Sequence, residues 1–342
     1  MFLERHLSIP LRRTVQGLEP VIVEGPRGAG KTTLLRREYP EHLYINLEEA
    51  GDRQRARQDP DAFIKRLRRA AVLDEVQRAP ELVAFLREST LTLPLILASS
   101  VRLHLPIQRL ELHRPTLAER HRRKALPIET IGRFTPALTS RRAESESWDE
   151  HRSWPEEDLR WVECVRDVDL LLRFAELARA NSGQGLHLQE LARQTGVSHR
   201  TAVRWMEALE ACFLVLRLEA IEVDFGRRVL KRPKLHFLAG SNCFESEVVS
   251  EIYRNAVHTG SQPRIGYWRD SNGLEIPLVI EHEEDGDHVG VGIAEAATPA
   301  IEGSLQRWMR LAQKEKAAMI TKSLPQITRR ETRILRYEAC QL

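Results

Sequence analysis

The sequence has no apolar run near the roughly 18 residues that a membrane-crossing helix requires. Its opening residues, Met1-Phe2-Leu3-Glu4-Arg5-His6, lack the apolar core of a signal peptide. Cysteine is scarce and scattered: Cys164, Cys212, Cys243 and Cys340 form no C-x-x-C pair. That excludes a disulfide framework and a zinc site, and it fits thiols kept reduced in the cytoplasm, the expected location, with no membrane partner. Neither sign of charge is in excess, since 52 Lys and Arg face 49 Asp and Glu for a formal net charge of +3. No whole-molecule field draws in nucleic acid, so a basic binding surface has to be local. No repeat of solenoid or propeller period is present. What remains is a globular chain whose 342 residues exceed one ordinary core, so two or three domains are expected.

The strongest pattern is Gly25-Pro26-Arg27-Gly28-Ala29-Gly30-Lys31-Thr32-Thr33, a complete G-x-x-x-x-G-K-[ST] loop between the apolar run Val21–Val23 and the helical pattern from Leu34. Strand, glycine loop and helix together make a phosphate cradle: glycines let backbone N–H groups turn inward, and the helix adds its positive end. Lys31 is expected to reach the β- and γ-phosphates, and the Thr32 hydroxyl to take one position on Mg²⁺. Ala70–Leu73 reads as a buried strand ending in Asp74-Glu75. An acid at that place holds Mg²⁺, a role assigned to Asp74, and Glu75 is expected to orient and deprotonate water as general base. No N-K-x-D guanine-reading motif is present, so the expected nucleotide is ATP.

Further strands are expected at Leu43–Leu47, Leu95–Ala98 and Lys124–Leu126, and helices at Pro60–Arg69 and Pro80–Arg87, which together read as a parallel α/β sheet. Ser100, with Ser99 second, is the candidate for sensing the γ-phosphate, and Arg120 for stabilising transition-state charge in cis or from a neighbouring subunit of a homo-oligomer. Residues 188–205 have helix-turn-helix form: Leu191 and Ala192 face inward, Gly196 makes the turn, Ser198 caps the second helix, and Val203, Met206 and Leu209 bury it. His199, Arg200 and Arg204 then point outward, and Arg227 and Arg228 open a basic wing running to Lys234 after the strand Phe213–Leu218. These five residues are the candidates for contacting double-stranded DNA.

With Asp59-Pro60 and Phe63, Leu73-Asp74-Glu75-Val76-Gln77, Pro80-Glu81-Leu82 and the strand ending at Ser100, the chain resembles a group of AAA+-like P-loop ATPases that carry a C-terminal domain of unknown function. Thr116-Leu117-Ala118-Glu119-Arg120 is similar to that group's S-L-A-G-R segment, with Glu119 in place of its glycine, and Leu126-Pro127 stands where its L-x-P-L-S segment follows. The resemblance implies an ATPase domain at 1–132, a linker at 133–158, a winged helix-turn-helix domain at 159–237 and an α+β domain at 238–342 similar to PD-(D/E)xK nucleases. In that last domain Pro277 stands where the group has a metal-binding Asp and Ala297 where it has a lysine, so no nuclease activity is expected. Glu245, Glu275 and Glu295 retain acids that a fold of this kind can bring together around a metal, and Trp268 is expected in the core. The expected function is ATP binding with hydrolysis that controls a DNA-bound or partner-bound state. The other open reading is a nucleotide-gated scaffold that binds ATP with little hydrolysis and docks a protein.

Overall fold

Short apolar runs bury both faces by pairing side by side, and the polar stretches between them become covering helices. The computed structural model describes residues 3–17, 19–89, 94–120, 167–221, 229–241, 243–262, 264–281, 287–314, 317–322 and 332–336. In it β1 (Val21–Glu24), β2 (Leu43–Asn46), β3 (Ala71–Asp74), β4 (Leu95–Ser99) and β5 (Gln108–Glu111) form one parallel sheet in the order β2-β3-β4-β1-β5. Alternation divides its side chains. Val21, Val23, Val72, Ile96 and Ala98 pack with Leu7 and Leu11 of α1 (Ser8–Thr14 and the turn before it) and with Leu34 and Leu35 of α2 (Lys31–Glu38). Ile22, Leu73 and Leu97 pack on the other face under α3 (Ala50–Gln58), α4 (Pro60–Lys65) and α5 (Pro80–Glu88).

One expectation changes here. Helix α4 stops at Lys65 rather than Arg69, because Leu67 turns into the core on the way to β3. The strand expected at Lys124–Leu126 lies outside the described residues, as do the linker 133–158 and Cys164 and Cys340. The fifth strand is Gln108-Arg109-Leu110-Glu111, which pairs only with β1 at the sheet edge and buries Leu110 alone. A strand with one buried face and polar residues at three of four positions leaves no apolar run to read.

After α6 (Leu117–Arg120), the next described elements are α7 (Val168–Ala180), α8 (Leu188–Thr195) and α9 (His199–Ala211), then an antiparallel hairpin of β6 (Val215–Leu218) and β7 (Lys234–Phe237). Gly196 ends α8 at φ +80, and the Ser198 hydroxyl accepts the Thr201 N–H at the start of α9. The buried stripe of α9 is Ala202, Trp205, Met206 and Leu209, with Trp205 edge-on to Phe174 of α7. Val203, expected inside, is only half-buried: at one residue past Ala202 it has rotated off that stripe.

The last unit opens with α10 (Phe244–His258), follows with the antiparallel meander β8 (Ile265–Arg269), β9 (Glu275–Glu281) and β10 (His288–Ala294), and closes with α11 (Pro299–Ala312), β11 (Ala317–Thr321) and β12 (Thr332–Arg336). Its sheet order is β12-β11-β10-β9-β8, with β10, β11 and β12 parallel. Helix α10 covers one face and α11 the other. Gly290 of β10 makes room for α11, since a Cβ there would lie 2.7 Å from the Trp308 ring. Trp268 is fully buried. Pro277 has no N–H to give to β8, and the β8–β9 register slips opposite it, between Gly266 and Trp268. Tyr267 spends its backbone groups elsewhere: its N–H donates to Glu219 O and its carbonyl accepts from Ile221 N–H, which fastens the hairpin unit to this sheet. Among the described residues no helix is long and apolar enough to cross a membrane.

Candidate nucleotide site

All five strands of the first sheet run the same way, so their carboxyl ends share one edge. β1 delivers the glycine loop there, β3 delivers Asp74 and Glu75, and β4, which lies between them, delivers Ser99 and Ser100. The loop turns at Gly25, at φ +154, where a Cβ would fall 1.8 Å from the Leu112 carbonyl oxygen. Gly25 N–H donates to Ser99 O and Leu112 N–H to Glu24 O, so the loop is pinned between the ends of β4 and β5. Gly28 and Gly30 also have positive φ, +75 and +95. Helix α2 then starts at Lys31 with no acid in its first turn, leaving its positive end uncompensated toward the loop.

Lys31 is buried, and its Nζ donates to Gly25 O at 2.7 Å and Pro26 O at 3.1 Å. The Thr32 hydroxyl donates to Asp74 Oδ2 at 2.6 Å, and the Tyr44 hydroxyl donates to the same oxygen. Asp74 Oδ1 accepts the Glu75 N–H at 2.9 Å. A hydroxyl and a carboxylate within hydrogen-bond reach at a helix start are the hard oxygen donors that Mg²⁺ prefers, so Thr32 and Asp74 fit that ion. Pro26 and Arg27 are half-buried, Ala29 is buried, and Gly28 and Thr33 are exposed on the loop's outer side. Arg27 lies 3.6 Å from Glu48, at the end of β2. Beneath the loop, burial pushes the Glu24 carboxyl up to about 7, against the opposing pull of the Leu103 N–H and Arg109. Its negative charge, which would repel a phosphate, is therefore partly suppressed near neutral pH.

Glu75 sits at φ +57, in the left-handed region that non-glycine residues seldom adopt. Gln77 Nε2 donates to Glu75 Oε2 at 2.5 Å and to Ser100 Oγ at 2.8 Å, joining the ends of β3 and β4. Ser99, the second sensing candidate, is used locally, with its hydroxyl donating to Val101 O. Arg120 is exposed at the end of α6, and its charge acts on buried Glu251 of α10. Sequence reasoning gave no role to Gln77, Tyr44 or Arg5. Gln77 could have been found from its place two residues after Glu75, whereas Arg5, whose guanidinium donates to Ala29 O at 2.6 Å, has no sequence signal near the loop.

Residues 18–124 match the family model described as an AAA domain. That match supports an AAA-like, nucleotide-binding ATPase unit around the geometry above. Residues 135–239 match a model described as a domain of unknown function, DUF8612. The chain is also similar to two proteins described as uncharacterized, one of Mycobacterium bovis and one of Mycobacterium tuberculosis. Each is 26% identical over 348 residues, covering 90% of this chain and 77% of the relative.

The nucleic-acid candidates lie far from this edge in sequence. His199, Arg200 and Arg204 are exposed on α9. Arg227 and Arg228 lie outside the described residues. The basic segment does not end as a solvated wing: Lys234 is buried, and its ammonium donates to Glu275 Oε1 at 2.7 Å and to Glu245 Oε1 at 2.5 Å. Two of the three acids expected around a metal therefore meet at a lysine. The third does not join them: Glu295 lies just past the end of β10, exposed and paired with Lys322 at 3.1 Å. Among the described residues no group of three His, Cys, Asp or Glu is arranged to hold a metal.

Two outcomes follow from this geometry. Gly25→Ala drives its methyl into the Leu112 carbonyl, so ATP binding measured by calorimetry is lost, whereas retention of wild-type affinity would contradict the pinned loop. Lys234→Met strands two half-buried carboxylates, which costs about 1–3 kcal/mol in urea unfolding at pH 8. The loss shrinks at pH 5, because burial raises the Glu245 carboxyl and, once protonated, it no longer needs the ammonium; an equal loss at both pH values would contradict the buried Lys234–Glu245 pair.

Proposed function

We propose that the chain is an ATP-binding and ATP-hydrolysing protein of AAA+ type, whose nucleotide state controls a winged-helix module that grips double-stranded DNA. The observation that carries the first half is the convergence of Lys31, Thr32, Asp74, Glu75 and Ser100 on one sheet edge, inside a segment that matches the AAA domain model. Lys31, held by two loop carbonyls, exchanges them for β- and γ-phosphate oxygens when ATP arrives, while the loop amides and the α2 dipole receive the remaining charge. Thr32 and Asp74 hold Mg²⁺, which when bound neutralises phosphate charge. Glu75 orients the attacking water and accepts its proton. Gln77, which donates to both Glu75 and Ser100, ties the general base to the candidate sensor of the γ-phosphate. Arg120 is the candidate for transition-state charge, in cis or in trans within a homo-oligomer.

The second half is supported by the helix-helix-helix-hairpin order of α7–β7 and by exposed His199, Arg200 and Arg204 on the second helix of the turn. The last unit, with its α10–β8–β9–β10–α11–β11 order, is read as a nuclease-like fold without nuclease chemistry, since Pro277 replaces an acid and Lys234 fills the space between two others. One observation favours the alternative, a scaffold that binds ATP with little hydrolysis and docks a protein: the Glu75 carboxylate is engaged by Gln77 and lies 3.9 Å from Arg78 Nε.

Turnover of ATP by the full chain decides between them. Lys31→Ala removes binding and turnover, and Glu75→Gln retains binding but lowers turnover by about 100-fold or more. Unchanged turnover in both variants overturns the ATPase reading, and binding without turnover in the wild type leaves the scaffold. Fluorescence titration with duplex DNA at stepped salt tests the module. Affinity falls with salt, and Arg200→Ala weakens it and lowers the log–log slope by about one. No binding at low salt points to a protein partner instead.

A further inference from the structure

Glu119 is one of the most completely buried acids among the described residues. Its Oε1 accepts the His6 N–H at 2.8 Å and lies 3.2 Å from Arg5 Nε. Its Oε2 accepts the Thr116 N–H at 2.9 Å and lies 3.2 Å from His258 Nδ1. The partners come from three places in the chain: the segment before α1, the turn before α6, and the end of α10. Burial alone would raise this carboxyl, but the His258 hydrogen bond, the Arg5 charge and the backbone donors outweigh it and hold the group well below the usual carboxylate range.

The geometry also fixes the imidazole. His258 Nε2 lies 2.8 Å from the His113 backbone N–H, which can only donate, so Nε2 accepts and Nδ1–H is left to donate to Glu119. Burial pushes this histidine down to about 4, in keeping with the neutral tautomer that the two contacts require. On the other side, Arg5 donates through Nη1 to Ala29 O of the phosphate loop at 2.6 Å and through Nη2 to His113 O at 2.5 Å. Arg5 Nη1 also lies 3.4 Å from where a Cβ of Gly30 would stand. A continuous buried path thus runs from Ala29 through Arg5 and Glu119 to His258. Alongside it, Glu251 of α10 accepts the Leu117 N–H at 2.7 Å and the Tyr253 hydroxyl donates to Glu111 at 2.8 Å.

We propose that Arg5 and Glu119 are positioning residues that tie the phosphate loop to α10, so that ATP binding at the loop and the seating of the C-terminal unit are thermodynamically linked. This rests on the ATP reading above. A loop carbonyl held by Arg5 keeps the neighbouring amides turned toward the phosphates before the ligand arrives, and Glu119 shares with the His113 carbonyl the task of holding Arg5 in place. By reciprocity, whatever α10 contributes to loop order, bound ATP returns to α10.

Calorimetry with ATP and magnesium, together with hydrogen exchange on the full chain, tests it. In the wild type, saturating ATP slows amide exchange across Glu251–His258. In Glu119→Gln and His258→Gln that protection disappears and ATP affinity falls about 5- to 100-fold, although His258 touches no loop residue in the path. The Arg5→Lys/His258→Gln double variant is no weaker than the worse single one, because both cut the same path. Affinities within about twofold of wild type in both single variants, or ATP protection of α10 that persists in Glu119→Gln, overturn the proposal. If Glu119→Gln melts below the assay temperature, His258→Gln decides alone, since it leaves Glu119 its backbone donors. A wild type that binds no ATP removes the nucleotide reading and this linkage with it; one that binds ATP with α10 unaffected removes only the linkage.

Discussion

A carboxylate taken out of water must be surrounded by donors or it does not stay ionised, and at Glu119 those donors are drawn from residues 5, 6, 116 and 258. That single requirement holds together parts of the molecule that are remote in sequence. The segment before α1 is pulled beneath the phosphate loop, α6 is set against the end of α10, and the C-terminal unit acquires a fixed seat on the ATPase-like sheet. Neighbouring contacts reinforce the same seam. Gly260 abuts Pro10, where a Cβ would approach to 2.8 Å, and Arg102 donates its N–H to Ala211 O at 2.7 Å while its guanidinium covers the Phe213 ring.

The candidate site is a consequence of strand order rather than of any one motif. Because β4 is inserted between β1 and β3, the serines at its end stand between the glycine loop and the acid pair, and Gln77 can bridge Glu75 and Ser100. Because β5 adds on the far side of β1, Leu112 arrives against Gly25 and closes the space a side chain would need. Catalytic groups on rigid strand ends need little reorganisation when a charged ligand enters.

Legibility in the sequence followed physical distance along the chain. The glycine loop, the acids after β3 and the helical turn at Gly196 are local devices, each satisfied by residues within a few positions, and each can be read from spacing. Strand β5 could not be read, because an edge strand with one buried side chain has no hydrophobic signature. The slip opposite Pro277 was legible only as the loss of an acid, while its structural effect, the release of Tyr267 to pair with residues 219 and 221, needs the neighbouring strand to be known. Lys234 read as the end of a basic wing, yet it is buried between Glu245 and Glu275, two residues it meets only once α10 and β9 are in place.

The sequence by itself determined the glycine loop that is the candidate cradle for a polyphosphate, because such a loop is written in consecutive residues, and its Gly25, Gly28 and Gly30 take positive φ. It also determined that the two acids after β3 accompany it. Only the tertiary structure decided which residues stand behind that cradle: Arg5 and Tyr44 carry no pattern of their own, and nothing in the segment around Glu119 marks it as a buried acid. The physical reason is that burying charge is a collective condition. A lone acid or base in a sequence is indistinguishable from a surface residue until the fold brings, or fails to bring, the partner that makes its burial tolerable.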